Sequence, residues 1–206
     1  MLYIFLCIIT FIISSIIKLY LYTGENKGFF KHFFNIFSKE KKLFLIDIFL
    51  VAIYFFLYKK YDFSILFFSN SILIGILLLI SLIDIKSKII PNKCILLGIA
   101  LGAIVLVLND NISIVDAFLG FVICGGIIAT ISIITKGDIG MGDAKLFGCI
   151  GIFFGLQTTL EIMLIATIIS GLTGLILLTL KKVNRKTALP FAPFIFVGTM
   201  VIIIFS

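Results

Sequence analysis

Lys136-Gly-Asp-Ile-Gly-Met-Gly-Asp-Ala-Lys-Leu146 is a polar, glycine-rich break between two long apolar runs. Val115 to Thr135 precedes it, and a second run begins at Ala144. An apolar run of about 20 residues crosses a bilayer as a helix, because a helix satisfies its own backbone donors and acceptors in lipid. The same alternation of long apolar run and short polar break continues in both directions. Of the 206 residues, 62% are hydrophobic and 13% charged, more apolar than any water-soluble domain of this length needs. The sequence therefore predicts an all-α integral membrane protein, a single polytopic domain over residues 1–206 with about eight transmembrane helices.

The predicted spans are Leu2–Tyr22, Leu43–Tyr58, Phe63–Ile83, Cys94–Leu108, Val115–Thr135, Ala144–Leu156, Glu161–Leu180 and Leu189–Phe205. No basic residue precedes Leu2–Tyr22, so it reads as a retained helix rather than a signal peptide. Residues 24–42 form a loop in which Phe29, Phe30, Phe33, Phe34 and Phe37 recur at helical spacing among lysines and His32. That pattern predicts a short helix lying in the membrane interface. The four cysteines stand singly, without a CxxC pair, and read as core residues. No metal site is expected. The pairs Gly98/Gly102 and Gly151/Gly155 are spaced for close helix packing.

Basic residues orient the spans. The loops after spans one, three, five and seven, with their flanks, hold 15 of the 17 lysines and arginines; the other two are Lys59 and Lys60. The positive-inside rule puts the lysine-rich loops in the cytoplasm and both termini outside. The expected setting is a multi-pass protein of the cell membrane. Membrane lipid is its expected neighbour and no nucleic-acid partner is expected.

Two polar islands then share the cytoplasmic side: the glycine-rich break, and Leu82-Ile-Asp-Ile-Lys-Ser-Lys-Ile-Ile-Pro-Asn-Lys93. Aspartate at the centre of a membrane helix costs roughly 2.5–3.5 kcal/mol, which marks such residues as functional candidates. Asp84, Asp138 and Asp143 lie near cytoplasmic span ends, and Asp47 lies deeper in the second span. Asp84 and Asp143 are the candidate catalytic pair. Two carboxyl groups held together share a proton, so one can take a proton from water while the other donates to a scissile carbonyl. Asp143 reads as a helix N-cap, a position that favours its ionised form.

Gly140-Met-Gly-Asp-Ala-Lys-Leu146 resembles the GxGD-x-K-L motif of the type IV prepilin peptidases. Ile83-Asp84 with Ile90-Pro-Asn92 resembles that family's first aspartate motif, and Leu189-Pro-Phe-Ala-Pro-Phe194 its C-terminal P-F-x-P-F segment. The motifs occur in the right order over residues 80–206. The resemblance implies an aspartic endopeptidase that removes the leader from type IV prepilins or pilin-like proteins at the cytoplasmic face. Asp84 and Asp143 match its catalytic aspartates; Asp138, Gly140, Gly142, Lys145, Pro91, Pro190 and Pro193 fall in the supporting positions. Proteolysis of this kind needs no cofactor. Many members also methylate the new N-terminus, and S-adenosylmethionine enters only if that activity is retained. Many bacterial members carry a larger cytoplasmic domain with paired CxxC motifs after the first span; residues 24–42 contain no cysteine and are too short for it.

Two other readings use the same residues. A presenilin-like intramembrane protease shares the GxGD motif but places its first aspartate beside a tyrosine, where this chain has Ile83 and three following lysines. A proton-coupled transporter would use Asp47, Asp84 and Asp143 as a relay, and such folds often show internal repeats absent here. The sequence is silent on oligomeric state and on which prepilins are cut.

Overall fold

The computed structural model describes residues 41–109, 111–136, 140–184 and 187–205. The first predicted span, the phenylalanine-rich segment with His32, and Asp138 lie outside the described residues. The described chain is helical throughout its regular structure: α1 (Lys41–Tyr61), α2 (Ile65–Ser87), α3 (Asn92–Leu108), α4 (Ile114–Ile134), α5 (Met141–Thr179) and α6 (Ala192–Phe205). α2, α4 and α5 are long and apolar enough to cross a membrane, while α3 and α6 are shorter apolar helices. This is a membrane protein.

The chain divides into two compact units, one ending at Phe67 and the other starting at Phe68. In the first, α1 ends at Tyr61, and Asp62 turns the chain with φ 48°. Tyr58, Phe63 and Phe67 stack around that turn, with ring centroids 5.3–6.4 Å apart. Asp47 lies on α1, half-buried.

The second unit is built around α5. Although α5 runs as one helix over 39 residues, Gly155 inside it has φ 74° and ψ −172°, far from helical values. Its two halves, 141–154 and 156–179, fold back on each other. Asp143 in the first half and Thr167 in the second line one cavity, whereas a straight helix would put them about 36 Å apart at 1.5 Å per residue. The sequence places a linker at 157–160 between two spans; the break is instead the single residue Gly155. Helix resumes at once because polar side chains there bond within it. Thr159 Oγ1 donates to the Gly155 carbonyl at 2.6 Å, and Gln157 Nε2 to Glu161 Oε1 at 3.3 Å.

The break frees the Leu156 N–H from its helical partner, and Asp116 on α4 accepts it through Oδ1 at 3.2 Å. A side chain on Gly155 would collide with the other carboxylate oxygen of Asp116. Gly155 therefore has two roles: with Gly151 it packs closely on Gly120, as their spacing implies, and it is a hinge that only glycine fits. α4 has a π-helical turn at Gly120–Cys124. There a Cβ on Gly120 would stand 2.8 Å from the Gly155 carbonyl carbon, so the backbones of α4 and α5 touch. Gly98 and Gly102 on α3 likewise serve as packing positions, seating Cys149 and Phe153 of α5. Cys94, Cys124 and Cys149 are buried.

Candidate active site

Asp84 lies in the last turn of α2 and is only 6% exposed. Past it the helix closes through the Lys88 N–H on the Asp84 carbonyl at 2.8 Å, with Lys88 in the left-handed conformation common at helix ends. Pro91 then stands at the N-cap of α3, where its fixed φ of −69° suits the entry and its missing N–H is no loss.

The Asp84 carboxylate meets the start of α6. Its Oδ2 accepts the Ala192 N–H at 3.0 Å, and the Phe191 N–H also donates to it. This gives the Leu189-Pro-Phe-Ala-Pro-Phe194 segment a physical account. The N–H groups at a helix start lack partners within the helix. Pro190 and Pro193 have none to offer, while Phe191 and Ala192 give theirs to Asp84. A carboxylate there is also favoured by the helix dipole.

Asp143, 8% exposed, sits in the first turn of α5. The N-cap is Gly140, so Asp143 is the third helical residue rather than the cap expected from sequence. Its backbone N–H donates to the Gly140 carbonyl at 3.0 Å, and the Gly140 N–H donates back to its carboxylate. That is the reciprocal half of a capping box, with glycine in place of serine or threonine. Gly142, between them, leaves room for Ile90: a Cβ there would stand 2.9 Å from the Ile90 Cβ. The loop after Asp84 thus packs on the turn that carries Asp143. Phe147, one helical turn beyond Asp143, stacks on Phe191 with centroids 6.1 Å apart.

The two carboxyl groups come together. Both line one cavity of about 710 Å³, and the charge on Asp84 acts directly on Asp143. Thr167, Ser170 and Gly171, from the returning half of α5, also line this cavity. Lys145 is exposed, and its ammonium donates to Asn92 Oδ1 at 2.9 Å. Asn92 stands in the Ile90-Pro-Asn92 motif with nothing in the sequence to give it a role, whereas Asp116, an aspartate in an apolar run, carries the same signal that singles out Asp84. Among the described residues no three His, Cys, Asp or Glu side chains gather closely enough to hold a metal ion.

A family model described as "Type IV leader peptidase family" matches residues 71–177, a stretch that includes both aspartates and the whole α5 fold-back except its last turn. The chain belongs to that family. Among its curated relatives is a "Prepilin leader peptidase/N-methyltransferase" of Pseudomonas putida, 27% identical over 140 residues, covering 63% of this chain and 47% of that protein. Proteins of the same name from Bacillus subtilis and Legionella pneumophila are 26% and 30% identical over 141 and 139 residues. The first alignment covers 68% of this chain and 57% of the relative, the second 63% and 47%. The chain thus spans about half the length of the curated leader peptidases it matches. No solved structure matches it.

Proposed function

We propose that this protein is an aspartic endopeptidase that removes the leader from type IV prepilins or pilin-like proteins, using Asp84 and Asp143 to activate water. The observation that carries the reading is the meeting of these two buried carboxyl groups in one cavity. Family membership supports it, as do the names of the relatives.

The two sides of the pair differ. Asp84 accepts two backbone N–H groups, Asp143 one. Hydrogen bonds to the ionised form favour that form. Asp84 is therefore the base and Asp143 the acid, the reverse of the sequence expectation, which rested on an N-cap position that Asp143 does not occupy. Asp84 takes a proton from water as the oxygen attacks the scissile carbonyl carbon, and Asp143 gives its proton to the carbonyl oxygen. The tetrahedral intermediate then collapses. The proton on Asp84 passes to the leaving nitrogen as the C–N bond breaks, and Asp143 recovers its own from the re-forming carbonyl. No cofactor enters these steps. Where methylation of the new N-terminus is retained, S-adenosylmethionine is its donor.

We further propose eight spans with both termini outside and the cavity facing the cytoplasm. The fold-back at Gly155 supports the count, since it divides α5 into two segments, and the lysine distribution supports the orientation. Co-expression with a prepilin tests the main reading: the leader is lost with the wild-type chain and retained with Asp84→Ala or Asp143→Ala at equal membrane levels. Unchanged processing by either variant would sink it. Mass analysis of the product's first residue reports cleavage position and methylation together.

A further inference from the structure

The cavity holds two cations as well as two carboxylates. Its titratable lining groups among the described residues are Asp84 and Lys88 from α2 and its exit, and Asp143 and Lys145 from α5; the lining residues of α4, of the segment leading into α6 and of the returning half of α5 add none. An ammonium beside a carboxyl pair is not neutral to its chemistry. It stabilises the doubly ionised form and so strips off the shared proton. Lys145 is two residues beyond Asp143, and side chains so spaced on a helix do not face each other. A four-carbon stem can still swing, and Asp84 and Asp143 are the only anionic groups among the described lining residues. Asn92, the first residue of α3, is what holds the ammonium, at 2.9 Å.

We infer that Asn92 is a positioning residue: it keeps the Lys145 ammonium off the two aspartates, so that the pair retains the proton its chemistry shares. Asn92 suits the task because its amide oxygen is neutral. It accepts from Lys145 without adding a third negative charge to the cavity. This inference rests on the aspartic-peptidase reading above.

The test is the pH profile of prepilin cleavage by the full chain in membranes, for wild type, Asn92→Ala, Lys145→Met, the double variant and Asn92→Asp. Activity on the alkaline side ends when the shared proton is lost. In Asn92→Ala the released ammonium moves that limb to lower pH by about one unit or more, so that just above the wild-type limb cleavage falls about tenfold further. Adding Lys145→Met moves the limb back, which relief of a merely structural defect would not do. Asn92→Asp, which keeps an acceptor for the ammonium, leaves the limb at or above its wild-type place. An alkaline limb shared by wild type and Asn92→Ala, or a shift that survives Lys145→Met, overturns the inference. The infrared carboxylic C=O stretch of the purified protein, assigned with Asp84→Asn and Asp143→Asn, follows the same proton without any substrate. A chain that cuts no prepilin but loses this band at lower pH in Asn92→Ala keeps the restraint and refutes the peptidase. A chain that cuts prepilin while the band stays put does the opposite.

Discussion

Asp84 and Asp116 do the same thing at two places in the second unit. Each is a carboxylate on one helix that accepts backbone N–H groups at the start of another: Asp84 at the beginning of α6, Asp116 where α5 resumes after Gly155. Their surroundings differ. Asp116 is pressed against Gly155, takes the Leu156 N–H, and has no second carboxyl group among its described partners. Asp84 has Asp143 within electrostatic reach and a 710 Å³ cavity in front of both. An aspartate in an apolar helix is thus not a reaction centre by itself. On the proposed reading it becomes one when a second carboxyl group and space for a substrate are added; otherwise it is a bracket for a helix end.

The contrast breaks most sharply at the pair itself. If Asp84 and Asp143 carry the protons as proposed, Asp84→Ala or Asp143→Ala should lower cleavage by on the order of 10²–10⁴-fold, read by prepilin processing at matched membrane levels. Asp116→Ala with residual activity as low as these would erase the distinction. Next in size is Ala192→Pro, which deletes one N–H held by Asp84 at a position where helices tolerate proline. Losing a hydrogen bond to a charged group costs about 1.5–3 kcal/mol, so cleavage should fall at least about tenfold while the protein still accumulates. Wild-type rates in this variant would mean that the α6 start does not set the state of Asp84.

Gly155→Ala comes third and should act on stability. Its φ of 74° with ψ −172° is a glycine conformation, and the added methyl group meets Asp116. Strain of that kind costs about 1–3 kcal/mol, visible as a lower midpoint of thermal unfolding in detergent. Asp116→Ala should match it in size, and the smallest effect belongs to Asp116→Asn. Asp116→Ala strands the Leu156 N–H at about 1–3 kcal/mol, whereas Asp116→Asn keeps an acceptor oxygen and should stay within a few tenths of wild type. Both should cut prepilin normally per folded molecule. A cleavage defect in Asp116→Asn would move this residue from bracket to chemistry.

Much of this was readable in the sequence, for identifiable reasons. Helices announce themselves through apolar length, and α2, α3 and α4 begin and end within a few residues of the predicted spans. The two motif aspartates stand out because charge is so costly between apolar runs. The turn inside α5 is misplaced because Gln157, Thr158 and Thr159 look like a loop, yet hydrogen bonds within the helix make polar residues acceptable there. Gly155, a glycine among glycines, gives no sign that its φ is positive. The groups that hold Asp84 are backbone N–H, present at every residue but proline. Only the two prolines around them, Pro190 and Pro193, hint that Phe191 and Ala192 are the donors. Asn92 needs the fold, since its partner Lys145 is 53 positions away.

The hairpin at Gly155 also acts as a depth gauge. Asp143 lies 12 residues before the bend and Thr167 the same number after it, so both arms return to one cavity. A single residue inserted between 156 and 166 would rotate the far arm by about 100° and lift it by about 1.5 Å. Thr167, Ser170 and Gly171 would then turn away from the carboxyl pair, with every local helix intact. In this molecule the count of residues to a bend, and not only their identity, decides what stands opposite the aspartates.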